Sequence, residues 1–121
     1  MRLHRPLLPL LLGLLFAAPV RAQAPAETIV ILDMSGSMWG RIGDETKLEI
    51  ARTAVRGMFS RFPAGSRVGL MAYGHRRAGD CRDIQMLLPP GAANEASVGE
   101  TLGRLLARGR TPLTESVREA A

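Results

Sequence analysis

The hydrophobic positions of this chain follow two different periods. Thr28–Leu32 and Val68–Tyr73 are nearly continuous hydrophobic or β-branched runs, typical of strands that are covered on both faces. Between these runs, after a predicted loop at Met38–Thr46, residues of one apolar stripe recur at three- and four-residue spacing and predict a helix: Leu48, Ala51, Val55, Met58, Phe59 and Phe62. A strand, a helix and a strand in this order predict a right-handed parallel βαβ unit.

A third strand and two further helices follow in the pattern. Ile84–Leu88 is the strand, and the ten residues Gly74–Asp83 before it are too few for a crossover helix, so we expect it to pair antiparallel. A second helix is predicted from about Asn94 to Ala107 by the spacing of Val98, Leu102, Leu105 and Leu106. Thr111-Pro112 is predicted to open a third helix, with threonine as N-cap and proline in the first position. The fold class is therefore α/β, a doubly wound Rossmann-like sheet with an antiparallel edge strand.

The N-terminal residues have the pattern of a targeting signal. Arg2 and Arg5 precede the apolar run Leu7–Val20, and Val20-Arg21-Ala22 is a typical cleavage site, which predicts a signal peptide over residues 1–22. The run is shorter than the roughly 20 apolar residues that span a bilayer. We therefore expect a periplasmic or secreted protein with a linker at residues 23–26 and no stable membrane anchor in this segment.

Removal of the signal changes the electrostatic picture. Its three arginines are lost, and the net charge falls from +5 to +2. The remaining basic residues are spread along the chain and aromatic residues are few, so nucleic-acid binding is not expected. The helix-forming segment that reaches Ala121 has no stop signal. Residues 27–121 are therefore expected to be the N-terminal part of a domain, truncated after three strands, whose C-terminal half lies beyond Ala121.

The first strand ends in Asp33-Met34-Ser35-Gly36-Ser37, which places one carboxylate and two hydroxyls on alternate residues. Ligands of open α/β sheets collect at the carboxyl ends of the strands. Hard oxygen donors in this number suit Mg²⁺ or Mn²⁺, and also Ca²⁺. The same residue types are common in turns, so the strand context is what favours a metal site.

At this point the sequence resembles a von Willebrand factor type A domain. Asp33, Ser35 and Ser37 are similar to the Asp-x-Ser-x-Ser that begins this family's metal-ion-dependent adhesion site. Gly109-Arg110-Thr111-Pro112-Leu113 is similar to a second part, Gly-x-Thr-Pro-Leu, although arginine replaces the more common second glycine. The third part, an aspartate after a later strand, has no candidate before Ala121.

The resemblance implies a binding function for these residues. It implies that the hydroxyls of Ser35, Ser37 and Thr111 coordinate the cation directly, and that Asp33 supports it through water. It also implies that a partner protein fills the open position with an Asp or Glu carboxylate. Thr111 has two interpretations here, because an N-cap needs no metal.

Two other functions compete with metal-dependent binding. Strand-Asp-x-Asp-Gly-Thr is the signature of haloacid dehalogenase-like phosphatases, but Ser35 stands where the general acid belongs and cannot protonate a leaving group near neutral pH. We therefore do not expect an enzyme. A metal-independent scaffold domain of an envelope assembly stays open.

The segment Gly74–Asp83 is the most polar loop of the chain. It contains one histidine, one cysteine and two carboxylates, but no paired Cys or His spacing that would indicate zinc, so it is predicted to be a charged hairpin loop. Its Tyr-Gly-His-Arg and Gly-Asp-Cys sequences are similar to a bacterial secreted subgroup of the family. Cys81, an odd cysteine in an exported protein, suggests a partner cysteine beyond Ala121. Trp39 is expected either at the rim of the site or packed on the domain.

Overall fold

The structure is a computed structural model that describes residues 27–121. The predicted signal peptide and linker lie outside these residues. In chain order the elements are β1 (Glu27–Asp33), a short 3-10 helix (Gly36–Trp39), β2 (Arg41–Ile42), β3 (Glu45–Thr46), α1 (Lys47–Phe59), β4 (Arg67–Tyr73), β5 (Ile84–Leu88), α2 (Glu95–Arg104) and α3 (Leu113–Ala120).

Three of the strands form one sheet in the order β1-β4-β5. β1 pairs parallel with β4, and β4 pairs antiparallel with β5. The parallel register places Asp33 beside Tyr73, so both strands end at the same edge of the sheet. This mixed sheet with its helices confirms the predicted α/β fold class and the antiparallel edge strand.

The main core lies between α1, α2 and one face of the sheet. Side chains alternate between the two faces of a strand, and the residues of this face are buried against the helices. The core contains Leu32, Leu48, Val55, Leu70, Val98 and Leu102. α3 packs against β1 and β4 outside this core cluster. No helix within residues 27–121 is long and apolar enough to cross a membrane.

Three predicted boundaries were wrong. The segment Met38–Thr46 is not a plain loop, because the 3-10 helix and the antiparallel pair β2–β3 occupy most of it. Helix α1 ends at Phe59, so Phe62 lies beyond the helix and packs edge-to-face on the Phe59 ring. Helix α2 ends at Arg104 because Leu105 has an extended backbone, with φ −78° and ψ 141°.

The start of the third helix also differs from the prediction. α3 begins at Leu113, and its N-cap residue is Pro112, whose ψ of 54° is not helical. Thr111 is therefore not the N-cap, and its side chain does not cap this helix. The end of the first turn is held instead by Ser116, whose backbone N–H and hydroxyl both donate to the Pro112 carbonyl. This removes the structural interpretation of Thr111 and leaves its hydroxyl available.

Candidate metal centre

The segment Asp33–Ser37 turns sharply at the end of β1. Met34 is fully buried, and its N–H donates to the Tyr73 carbonyl at 2.9 Å, which anchors the segment to β4. The Asp33 Oδ1 accepts the Ser35 N–H at 2.7 Å, so the carboxylate folds back over the turn. The chain then enters the 3-10 helix at Gly36. The sequence accounts for this local structure. Met34 is apolar and turns into the core, so the polar side chains of the segment lie together on the opposite side.

The two serine hydroxyls lie next to each other. The distance between the Ser35 and Ser37 Oγ atoms is 3.0 Å. Neighbouring oxygen ligands of an octahedral Mg²⁺ with bonds of about 2.1 Å are separated by about 3 Å, so the spacing of the hydroxyls fits two adjacent ligands of one cation. Ser35 is buried, whereas Ser37 is exposed and Asp33 is partly exposed. The donor set is therefore reachable from solvent on one side.

The loop between α2 and α3 is hydrogen-bonded to this turn through its backbone. Gly109 forms a parallel bridge with Ser35, and its carbonyl accepts the Gly36 N–H at 3.1 Å. The Arg108 N–H lies 3.0 Å from the carbonyls of both Met34 and Gly74. Thr111 follows Gly109 by two positions, so these backbone bonds also fix the part of the loop that carries it. Its side chain is exposed and has no hydrogen bond within the described part of the chain.

Two glycines make this close approach possible. A Cβ on Gly74, whose φ is +72°, would lie 2.7 Å from the Arg110 carbonyl oxygen. A Cβ on Gly109 would lie 2.8 Å from the Gly74 Cα. The backbones of the three loops meet where a side chain would prevent contact. The sequence motif included Gly109, but Gly74 was missed; the available signal was a glycine directly after a buried strand.

Tyr73 is a second residue that sequence analysis did not place at the site. It is the last residue of β4, is almost fully buried, and is the register partner of Asp33. Its pKa is raised to about 12, first because burial disfavours the phenolate and second because the Asp33 carboxylate lies beside the hydroxyl. The hydroxyl therefore keeps its proton next to a carboxylate. Only knowledge of the strand register could have identified this neighbour.

The predicted charged hairpin loop is organised around one buried carboxylate. Asp83 Oδ2 accepts the N–H groups of Arg76 and Arg77 at 2.6 and 2.9 Å, and Oδ1 accepts Arg76 Nε at 2.6 Å. Burial acts to raise the pKa of Asp83, but these hydrogen bonds outweigh it and the pKa is lowered. Cys81 is exposed and free, and its disulfide remains a prediction. Among residues 27–121 no three His, Cys, Asp or Glu side chains group as a metal site.

Trp39 is packed on the domain, which is one of the two positions expected for it. Its indole Nε1 donates to the Ala107 carbonyl at 2.8 Å, so the ring is fixed to the loop that carries Thr111. About half of the side chain, 52%, is nevertheless exposed. The ring is therefore packed on the domain and also accessible to solvent, and its place at the rim of the metal site stays a prediction.

Comparisons with known proteins agree with the fold. The profile of the von Willebrand factor type A domain family matches residues 28–121. Over 106 residues the chain is 32% identical to YwmC, an uncharacterized protein of Bacillus subtilis (strain 168). This alignment covers 82% of the chain and 47% of the relative, so the chain spans about half the length of the curated relative that it matches. Membership of the bacterial secreted subgroup stays a prediction.

Proposed function

The chain belongs to the von Willebrand factor type A domain family, and we propose that it is an exported domain that binds a partner protein through a divalent cation. Domains of this family typically bind proteins, so the chain is a protein-interaction domain. The finer proposal concerns how it binds. The cation is Mg²⁺, with Mn²⁺ or Ca²⁺ as substitutes, and the partner contributes an Asp or Glu carboxylate.

The observation that carries the proposal is the position of the two serine hydroxyls. They lie 3.0 Å apart at the carboxyl end of β1, at a spacing that suits neighbouring ligands of one cation. Ser35 and Ser37 would hold the cation directly, together with Thr111 from the adjoining loop. Asp33 would support it through water. A cation held in this way supplies an open coordination position for an anionic oxygen of the partner.

The surrounding residues favour binding over catalysis. Asp33 is the one carboxylate at this turn, and it already accepts the Ser35 N–H. Ser35 occupies the position where a phosphatase of the haloacid dehalogenase type needs a general acid, and a serine hydroxyl does not perform that role near neutral pH. We therefore propose that the protein does not hydrolyse phosphate esters. Turnover of a generic phosphate monoester that disappears in Asp33→Asn would contradict this.

Export is the second part of the proposal and rests on the sequence of residues 1–22. The positively charged start, the apolar run and the small-residue site form the pattern that signal peptidase recognises. N-terminal sequencing of protein recovered from the periplasm or the medium should begin at Gln23. An N-terminus that still contains Met1 would contradict export by this route.

The metal site is tested by calorimetric titration of the full-length protein with Mg²⁺, Mn²⁺ and Ca²⁺. The double variant Ser35→Ala with Ser37→Ala removes two direct ligands and should lower affinity by roughly 100-fold or more. Ser66→Ala, an exposed serine just before β4 at the opposite end of the sheet, is the matched control and should bind like the wild type. Equal affinity in the double variant and the control would overturn the site. Partner binding that persists in the double variant would support the metal-independent scaffold instead.

A further inference from the structure

Two arginines beside the candidate metal centre lack an internal counter-charge. Arg108 and Arg110 flank Gly109, the residue that bridges to Ser35, and Arg110 directly precedes Thr111. Both are exposed, and neither forms a salt bridge within residues 27–121. Within the described residues, the two positively charged side chains on this loop therefore have no carboxylate partner.

The two acidic residues of the neighbouring hairpin loop are already engaged. Asp83 is paired with Arg76 at 2.6 Å and is buried, and Asp80 lies 3.4 Å from Arg77. These two pairs leave Arg82, which is exposed and forms no salt bridge within residues 27–121, as the unpaired arginine of the hairpin loop. Arg82, Arg108 and Arg110 are thus the arginines of these two loops without a carboxylate partner in the described residues, and Arg108 and Arg110 are the two on the loop that bridges to Ser35.

Trp39 adds a rigid apolar surface at the same place. Its one polar atom is bonded to the carbonyl of Ala107, the residue before Arg108, and half of its side chain remains exposed. The ring cannot reorient without losing this hydrogen bond. Binding to it therefore costs little additional side-chain entropy, which is characteristic of a pre-organised anchor. Tryptophan and arginine are also the residues most enriched among interface hot spots.

We propose that Trp39, Arg108 and Arg110 form a docking rim that selects an acidic partner segment carrying an apolar side chain. The proposal rests on the proposed function, since the segment's first carboxylate occupies the cation's open position. Further carboxylates of the same segment pair with the two guanidinium groups, which match a carboxylate with two parallel hydrogen bonds. The apolar side chain packs on the exposed face of Trp39.

Charge balance is the reason why the partner segment should carry more than one carboxylate. A divalent cation together with Arg108 and Arg110 presents four positive charges. Asp33 supplies one negative charge at the turn, and the aspartate that the resemblance implies beyond Ala121 would supply a second. A partner with a single carboxylate would leave both arginines unpaired. A segment with several carboxylates neutralises the whole edge, so its association should be faster and its complex tighter at low salt.

The experiment uses the full-length protein with Mn²⁺ and two nine-residue peptides that share a central aspartate and one leucine. In the first peptide the other positions are serine and glycine; in the second, four of them are glutamate. We expect the acidic peptide to bind about tenfold more tightly at low salt, and the difference to shrink to about threefold or less near 0.5 M salt. Binding should also change the part of the tryptophan emission that Trp39→Phe removes.

Two double variants test whether the preference for the acidic peptide depends on Arg108 and Arg110. Arg108→Gln with Arg110→Gln should reduce the preference for the acidic peptide to about twofold or less, while Mn²⁺ affinity falls by less than about threefold. Arg61→Gln with Arg67→Gln removes the same number of charges at the opposite end of the sheet and should keep the tenfold preference, because the Arg67–Glu27 pair is exposed and contributes little.

The outcomes separate the two proposals. If neither peptide binds in a manner that depends on Mn²⁺, the proposed function fails. If both bind with Mn²⁺ but equally well, or if the control pair loses the preference to the same extent, the docking rim alone is overturned. An acidic peptide that binds without changing the Trp39 emission also overturns the rim as defined.

Discussion

Two polar loops leave neighbouring strands at the same edge of the sheet, yet they use their polar groups in opposite ways. The segment Gly74–Asp83 after β4 satisfies its carboxylate internally, since Asp83 is 1% exposed and accepts three hydrogen bonds. The segment Asp33–Ser37 after β1 leaves the Ser37 hydroxyl exposed, with Ser35 Oγ as its one partner in the described residues. A carboxylate that is buried and fully hydrogen-bonded indicates a structural loop. Clustered oxygen atoms that bond chiefly to one another and include an exposed hydroxyl indicate a ligand site.

The largest expected effect tests the structural loop. Asp83→Asn should lower the free energy of unfolding by roughly 2–4 kcal/mol, because it removes a buried charge that three donors surround. Asp80→Asn is the control: its pair with Arg77 is exposed, so the cost should stay below about 1 kcal/mol. Urea denaturation of both variants gives the comparison. Similar losses in the two variants would show that Asp83 does not organise the loop.

Acid should remove the same stabilisation from the wild type. The pKa of Asp83 is lowered in the folded protein, despite burial, by hydrogen bonds from Arg77 and Arg76. The unfolded chain therefore takes up this proton at a higher pH than the folded protein does. The stabilisation is complete above about pH 4 and is lost as the pH falls through the folded pKa. The denaturation midpoints of the wild type and Asp83→Asn should therefore converge below about pH 4. A difference between the two midpoints that stays constant with pH would show that the ionised Asp83 is not the source of the stabilisation.

An intermediate effect tests the contact between the loops. In Gly109→Ala the new methyl would lie 2.8 Å from Gly74 Cα and 2.9 Å from the Arg77 carbonyl oxygen, so one backbone must shift. We expect a loss of roughly 1–3 kcal/mol together with weaker metal binding, since Thr111 moves with the loop. Gly103→Ala in α2 has open space around it and should stabilise by about 0.5–1 kcal/mol. Unchanged metal affinity in Gly109→Ala would show that Thr111 is not a ligand of the metal.

The smallest effect on the stability of the metal-free protein is expected in the segment Asp33–Ser37. Ser37→Ala should change stability by less than about 0.5 kcal/mol, because the side chain is exposed. The same variant should lose most of the stabilisation that Mg²⁺ confers, which is about 2.7 kcal/mol for a wild type at 100 times its Kd. Thermal unfolding with and without Mg²⁺ measures both quantities. A large loss without metal would make Ser37 a structural residue.

Some parts of the fold follow from local pattern. The apolar runs at β1 and β4 and the stripe through Leu48 and Val55 identify their elements, because burial of one or both faces imposes a period on the sequence. The ends of the helices do not follow. Leu105 continues the apolar stripe of α2 but leaves the helix, and Pro112 takes the cap position expected of Thr111. The Leu105 carbonyl accepts a hydrogen bond from Arg52 of α1, and Gly109, three residues before Pro112, is bonded to Gly36 and Gly74, so contacts distant in sequence hold the chain at both places.

The candidate site divides in the same way. The sequence by itself determined its donors, because Asp33, Ser35 and Ser37 are neighbours on one short turn and need no distant contact to come together. Only the tertiary structure decided what surrounds them. The parallel register places Tyr73 beside Asp33. The contact of Gly74 with Gly109 holds the loop that carries Thr111 and the arginines on either side of Gly109 against the turn. These neighbours are separated by at least 35 residues along the chain, so no local periodicity brings them together. The close packing of backbone against backbone does.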